Sequence, residues 1–117
     1  MVSDSDLSNK VGLFVRFDSG KIAVVDAITD IPVGILGHGH PYGGSVILPI
    51  APGTVYMKLD ATPGTVTPGT VLVVTATGTV AADPGTGDRV QVAIALEAGV
   101  ADEKIEAQLI HPVALVA

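Results

Sequence analysis

The chain contains no cysteine and no tryptophan, and only two tyrosines and two phenylalanines among 117 residues. Without cysteine there is no disulfide framework, no thiol nucleophile and no zinc–thiolate site, a composition that suits a reducing compartment. Positive charge is also scarce: six Lys and Arg stand against twelve Asp and Glu, a formal net charge of −6. An acidic surface repels phosphate backbones and anionic headgroups, so no nucleic acid and no membrane are expected as partners. No apolar run approaches the roughly 20 residues that cross a bilayer as a helix. The opening Met1-Val-Ser-Asp-Ser-Asp-Leu-Ser-Asn-Lys10 lacks the basic start and apolar stretch of a secretory signal, so synthesis in the cytoplasm without a cleaved leader is expected. The length is below that of most two-domain chains, so a single domain is expected.

What the chain does have is aliphatic mass. Hydrophobic residues make up 48% of it, mostly Val, Ile, Leu and Ala, and only 15% are charged; the mean hydropathy is +0.57. Such a composition favours strands. It also leaves more apolar surface than a small domain hides by itself, which favours an assembled protein.

Residues 1–10 combine serines, aspartates, one Asn and one Lys with little apolar content, and read as a flexible N-terminal arm preceding a β domain over 11–117. From Val11 onward, short apolar runs alternate with turn signals, and no window sustains a helical period. The pattern predicts strands at 11–17, 21–26, 32–37, 45–50, 54–60, 70–77, 89–97 and 104–110. Alternation places Val55, Met57 and Leu59 opposite Thr54, Tyr56, Lys58 and Asp60. It places Val90, Val92, Ile94 and Leu96 opposite Arg89, Gln91, Ala93, Ala95 and Glu97. The 70–77 segment is apolar on both faces, through Val71 and Val73 as well as Leu72 and Val74, and so predicts a central or interface strand. Asp18-Ser19-Gly20 signals a hairpin. Pro-Gly-Thr occurs four times, at 52–54, 63–65, 68–70 and 84–86, each suited to a type II turn. The fold class expected is all-β, a small single-domain barrel or sandwich of β-tulip type.

Candidate chemistry is thin. His38 and His40 sit in Gly37-His-Gly-His-Pro-Tyr-Gly-Gly44 at a spacing that can chelate a metal, but the third histidine, His111, is distant in sequence and no carboxylate motif flanks the pair. No metal site and no cofactor are expected. The glycine-rich loop has no accompanying Gly-x-Ser-x-Gly elbow, which argues against a hydrolase. Ala101-Asp-Glu-Lys-Ile105 resembles the lysine turn of biotinyl and lipoyl carriers, but those hold the lysine at a hairpin near their middle whereas Lys104 leaves only 13 residues after it, so a charged turn into the last strand is the reading. The aspartates at 18, 26, 30, 60, 83, 88 and 102 flank expected strand ends, where Asp favours turns. No catalytic residue is assigned, and the protein is not expected to be an enzyme.

At residues 15–37 the sequence Val-Arg-Phe-Asp-Ser-Gly-Lys-Ile-Ala-Val-Val-Asp-Ala-Ile-Thr-Asp-Ile-Pro-Val-Gly-Ile-Leu-Gly resembles the head decoration, or capsid cement, proteins of tailed bacteriophages, including the lambda type. The matching residues are Asp18, Ser19, Lys21, Asp26, Thr29, Asp30, Val33, Gly34, Ile35 and Leu36. The stretch from Val92 to Leu109 is similar to the end of such proteins, where a small-residue strand, a charged turn and a final strand follow one another. The two stretches cover about 40 residues. The resemblance implies a β domain that forms a homo-trimer on the outer surface of the virion capsid and bridges major capsid protein subunits. It also implies an N-terminal arm on the shell, here Val2, Ser3, Asp4, Ser5, Asp6 and Leu7. Tyr42, Val71 and Val73 are the expected trimer contacts. A shorter arm, the Gly-His-Gly-His loop and the many Pro-Gly turns depart from the lambda type. A trimeric module of a phage tail or baseplate, or a non-catalytic ligand-binding β-barrel, are the other classes compatible with the composition.

Overall fold

A computed structural model describes residues 12–18, 21–38, 46–49 and 53–116. The described residues form nine β-strands and no helix: Phe14–Asp18 (β1), Lys21–Val24 (β2), Gly34–His38 (β3), Val46–Pro49 (β4), Gly53–Lys58 (β5), Val71–Val74 (β6), Val80–Ala82 (β7), Arg89–Ala95 (β8) and Lys104–Leu115 (β9). They build two antiparallel sheets, a four-stranded one in the order β2-β1-β3-β4 and a five-stranded one in the order β5-β9-β8-β6-β7. The all-β expectation holds, with two separate sheets rather than a closed barrel. Strands β1 and β2, on either side of the hairpin signal at 18–20, pair antiparallel from Val15↔Val24 to Asp18↔Lys21. The arm at 1–10 lies outside the described residues.

One core joins the sheets. Phe14, Val25 and Ile35 from the four-stranded side meet Met57, Leu59, Leu72, Val74, Val80, Val90, Val92, Ile105 and Leu109 from the other. Backbone hydrogen bonds stitch the sheets at one corner, where Phe14 N–H donates to the Gly78 carbonyl at 2.8 Å and Lys58 N–H to that of Gly12 at 3.2 Å.

The five-stranded sheet departs from the expected strands in three places. The 70–77 strand ends at Val74, and residues 75–79 turn the chain back as β7, with Val74 opposite Val80. Threonine's β-propensity makes 75–77 look extended, but Thr75, Thr77 and Thr79 bond one another through their hydroxyls, and Gly78 takes φ +80°. Local hydroxyl bonding and a left-handed glycine win over the ladder. In β8 the alternation breaks after Val92. The register shifts against both β6 and β9, and a bulge turns two consecutive residues toward one face. Ala93 and Ala95 are thereby buried, while Leu96 is 43% exposed. Finally, β9 runs to Leu115 rather than stopping at 110 because its far half pairs with β8 through Val113, Ala114 and Leu115. By contrast β5 alternates as expected, with Met57 and Leu59 buried and Tyr56 62% exposed.

The Pro-Gly-Thr units diverge. At 67–70 the Thr70 N–H donates to the Thr67 carbonyl at 3.0 Å with Gly69 at φ +93°, the type II pattern. At 63–65 the buried Pro63 uses its carbonyl to accept from Ala82 N–H at 2.8 Å, so that unit straps the edge of β7. Gly53 instead opens β5.

Candidate functional site

Three polar clusters fix the loops at the ends of the sheets. The first surrounds Arg16 on β1. Its Nη2 donates to Asp26 Oδ2 at 3.3 Å, and its Nε lies 3.3 Å from Asp30 Oδ2 but off the N–H direction, so that contact is ionic. Asp30 Oδ2 also accepts the backbone N–H groups of Asp26 and Ala27, each at 3.2 Å. The 26–30 loop is thus tied at both ends to one guanidinium. Ile28, at its tip, is 48% exposed, and Ile31 just beyond it is 53% exposed.

The second cluster joins the loop after β7 to the start of β8. Asp83 Oδ1 sits 2.6 Å from Arg89 Nε, again off the N–H axis, and accepts from Gly85 N–H at 2.8 Å. Asp83 Oδ2 accepts from Gln91 Nε2 at 2.6 Å, and Arg89 Nη1 donates to the Gly87 carbonyl at 2.9 Å. Burial alone would raise the Asp83 carboxyl, but the Gly85 and Gln91 hydrogen bonds and the Arg89 charge outweigh it and hold it below its ordinary value.

The third centres on Asp60. Its Oδ1 accepts from Thr79 Oγ1 at 2.8 Å and Thr77 Oγ1 at 3.3 Å, and its Oδ2 from Thr62 N–H and Thr62 Oγ1, both at 3.2 Å. Desolvation pushes this carboxyl up, and the four hydrogen bonds together bring it lower than usual.

Between the first two clusters runs a groove of about 290 Å³ lined by Ile28, Val73, Val74, Ala81, Ala82 and Pro84 together with Asp88 and Arg89. It lies at the bottom of the roughly 300–1,000 Å³ range of small-molecule pockets, a size that suits a few aliphatic side chains better than a cofactor.

Of the residues singled out in the sequence, Val73 is 6% exposed and lines this groove, and Val71 is half-buried on the same strand. His111 is exposed on β9. Tyr42, His40 and the arm residues 2–7 lie outside the described residues, as does the side chain of His38. Among the described residues no group of three or more His, Asp or Glu is placed to hold a metal ion. The turn at 100–103 leads into Lys104 as the first residue of β9, with Val100 N–H on Glu103 Oε1 at 2.8 Å. Sequence reasoning missed Arg16, Ile28 and the Asp83–Arg89 pair as site-formers. The available signal was an arginine on a strand whose alternation otherwise faces a core, followed ten residues later by Asp-x-x-x-Asp.

Comparison with protein-family models, with curated proteins and with solved structures gives no match.

Proposed function

We propose that this chain is a structural cement protein, a trimer that binds the outside of a tailed-phage capsid and bridges major capsid subunits. The observation that carries the reading is the way the 15–37 segment folds. Several of the described residues shared with cement proteins have structural work there. Asp18 and Lys21 are register partners in the β1–β2 ladder, Asp26 and Asp30 clasp Arg16, Gly34 pairs with Val15, and Ile35 is buried. A binding role rather than a chemical one fits the polar clusters, which spend their hydrogen bonds on holding loops. Large apolar side chains left at the surface, among them Ile28, Ile31, Val100 and Val116, supply area for protein contacts.

The reading is tested with purified full-length chain and undecorated expanded heads of the phage that encodes it. Light scattering is expected to give three times the 11.8 kDa chain mass, and the chain is expected to co-sediment with the heads to saturation. A monomer both free and bound would refute the trimer, and absence of co-sedimentation would refute the cement role. Removal of residues 2–10 is expected to leave the trimer intact and to weaken sedimentation steeply.

A further inference from the structure

We infer that the groove between the 26–31 loop and the β6–β7 pair is a docking slot for an apolar segment of the shell protein that carries lysine or arginine beside its apolar residues. The inference rests on the cement reading and adds which surface engages the shell and what chemistry it selects.

Three observations converge on it. First, Ile28 is held out of the core on purpose-built scaffolding. A loop that merely had to connect β2 to β3 needs no ion-paired clasp, yet this one has its entry and exit carboxylates on Arg16 and two of its N–H groups on Asp30 Oδ2. The clasp holds the loop whose Ile28 lines the same groove as Val73, Val74 and Pro84 while staying about half exposed. A rigid, solvent-facing apolar side chain is one whose ordering cost is met before a partner arrives, which raises affinity. Second, the opposite wall is equally fixed, because Asp83 ties Gly85, Arg89 and Gln91 together next to Pro84. The groove is therefore bordered by two anchored loops, with apolar Val73, Ala81 and Ala82 also in its lining.

Third, the charge around it is mainly negative: its lining holds Asp88 beside Arg89, and Arg89 is already paired with Asp83. Asp26 and Asp30 share the single guanidinium of Arg16, which leaves the loop net negative, and the Asp26 side chain is 69% exposed. A segment that seats aliphatic side chains against Ile28 meets this charge at once, so a basic residue flanking them is favoured and an acidic one repelled. The overall charge of −6 acts in the same direction.

The test uses full-length chain and undecorated expanded heads. Ile28→Asp puts a charge where the apolar contact is expected, and Asp26→Lys reverses the flanking charge; both sites are exposed enough that folding is expected to be retained, as checked by an unchanged thermal unfolding midpoint. Tyr56→Ser, on β5 at the opposite edge of the sheet from β7, is the control. Sedimentation affinity is expected to fall at least tenfold in each of the first two variants and to stay within twofold of wild type in Tyr56→Ser, with the trimer mass kept in all three. Wild-type affinity in Ile28→Asp overturns the slot. So does an equal loss in Tyr56→Ser, which signals unspecific apolar adhesion. Loss of the trimer in Ile28→Asp would make the groove a seam between copies and also overturns it. If the wild-type chain itself fails to sediment, the cement reading has failed and the slot falls with it; every other outcome judges the slot alone.

Discussion

Single residues hold the corner where the two sheets meet. Gly78 sits at φ +80°, and a Cβ built on it would lie 2.5 Å from Val24 Cγ1 and 3.1 Å from the Phe14 carbonyl oxygen. The backbone conformation and the space both exclude a side chain, and the neighbouring Phe14 N–H depends on the Gly78 carbonyl. Gly78→Ala is therefore expected to destabilise the chain by about 1–3 kcal/mol, read as a lower urea midpoint with unchanged slope. A second residue-scale consequence concerns acid. Asp60 and Asp83 ionise more readily in the folded chain than their ordinary value of 3.8 allows. The unfolded chain then takes up protons first as pH falls, so the stabilisation these carboxylates give is complete above the ordinary value and is lost as pH drops through the lowered folded values. Stability is expected to decline below about pH 4, and the Asp60→Asn, Asp83→Asn double variant, less stable at neutral pH, should show a shallower decline in urea midpoints measured across that range.

At the scale of elements, the pairing of β8 with β9 is built from small side chains. Ala93, Ala95 and Ala107 are fully buried, and Ala95 stands opposite Ala107 in the ladder. A larger side chain at these fully buried positions must displace its neighbours, so Ala95→Leu is expected to cost about 1–3 kcal/mol by overpacking, measured by the same urea titration. This element also shows where the sequence is legible and where it is not. Strand β5 is an edge strand with one face in the core and one in water, so its alternation of Met57 and Leu59 with Tyr56 and Lys58 is visible in the letters. Strand β8 hides its pattern because the bulge after Val92 is imposed by pairing with β6 and β9, partners that lie far off in the chain. Strand β7 is three residues long, too short to carry a period, and the threonine-rich turn before it imitates a strand. The groove was not legible at all. Ile28, Val73 and Pro84 come from three separate segments, each of which has an ordinary local explanation, and only the fold brings them together. The Arg16 clasp was half legible: the acidic loop is conspicuous, whereas its cationic partner looks like the polar face of a strand.

For the whole molecule, the decisive feature is the order of strands in the larger sheet. Among the described residues strand β5 borders β9 and no other strand, and the first pair they share is Lys58 with Lys104. A nascent chain growing at about 5–20 residues per second leaves β5 without its sheet partner for roughly 2–9 s while the intervening segment is made. During that wait the strand has two open edges, each a template for pairing with another nascent chain. The polar side chains of Thr54 and Lys58 on one of its faces moderate that hazard. Slower synthesis between residues 58 and 104 is thus expected to lengthen the exposure of β5 and to favour its capture by a neighbour over the long closure to β9.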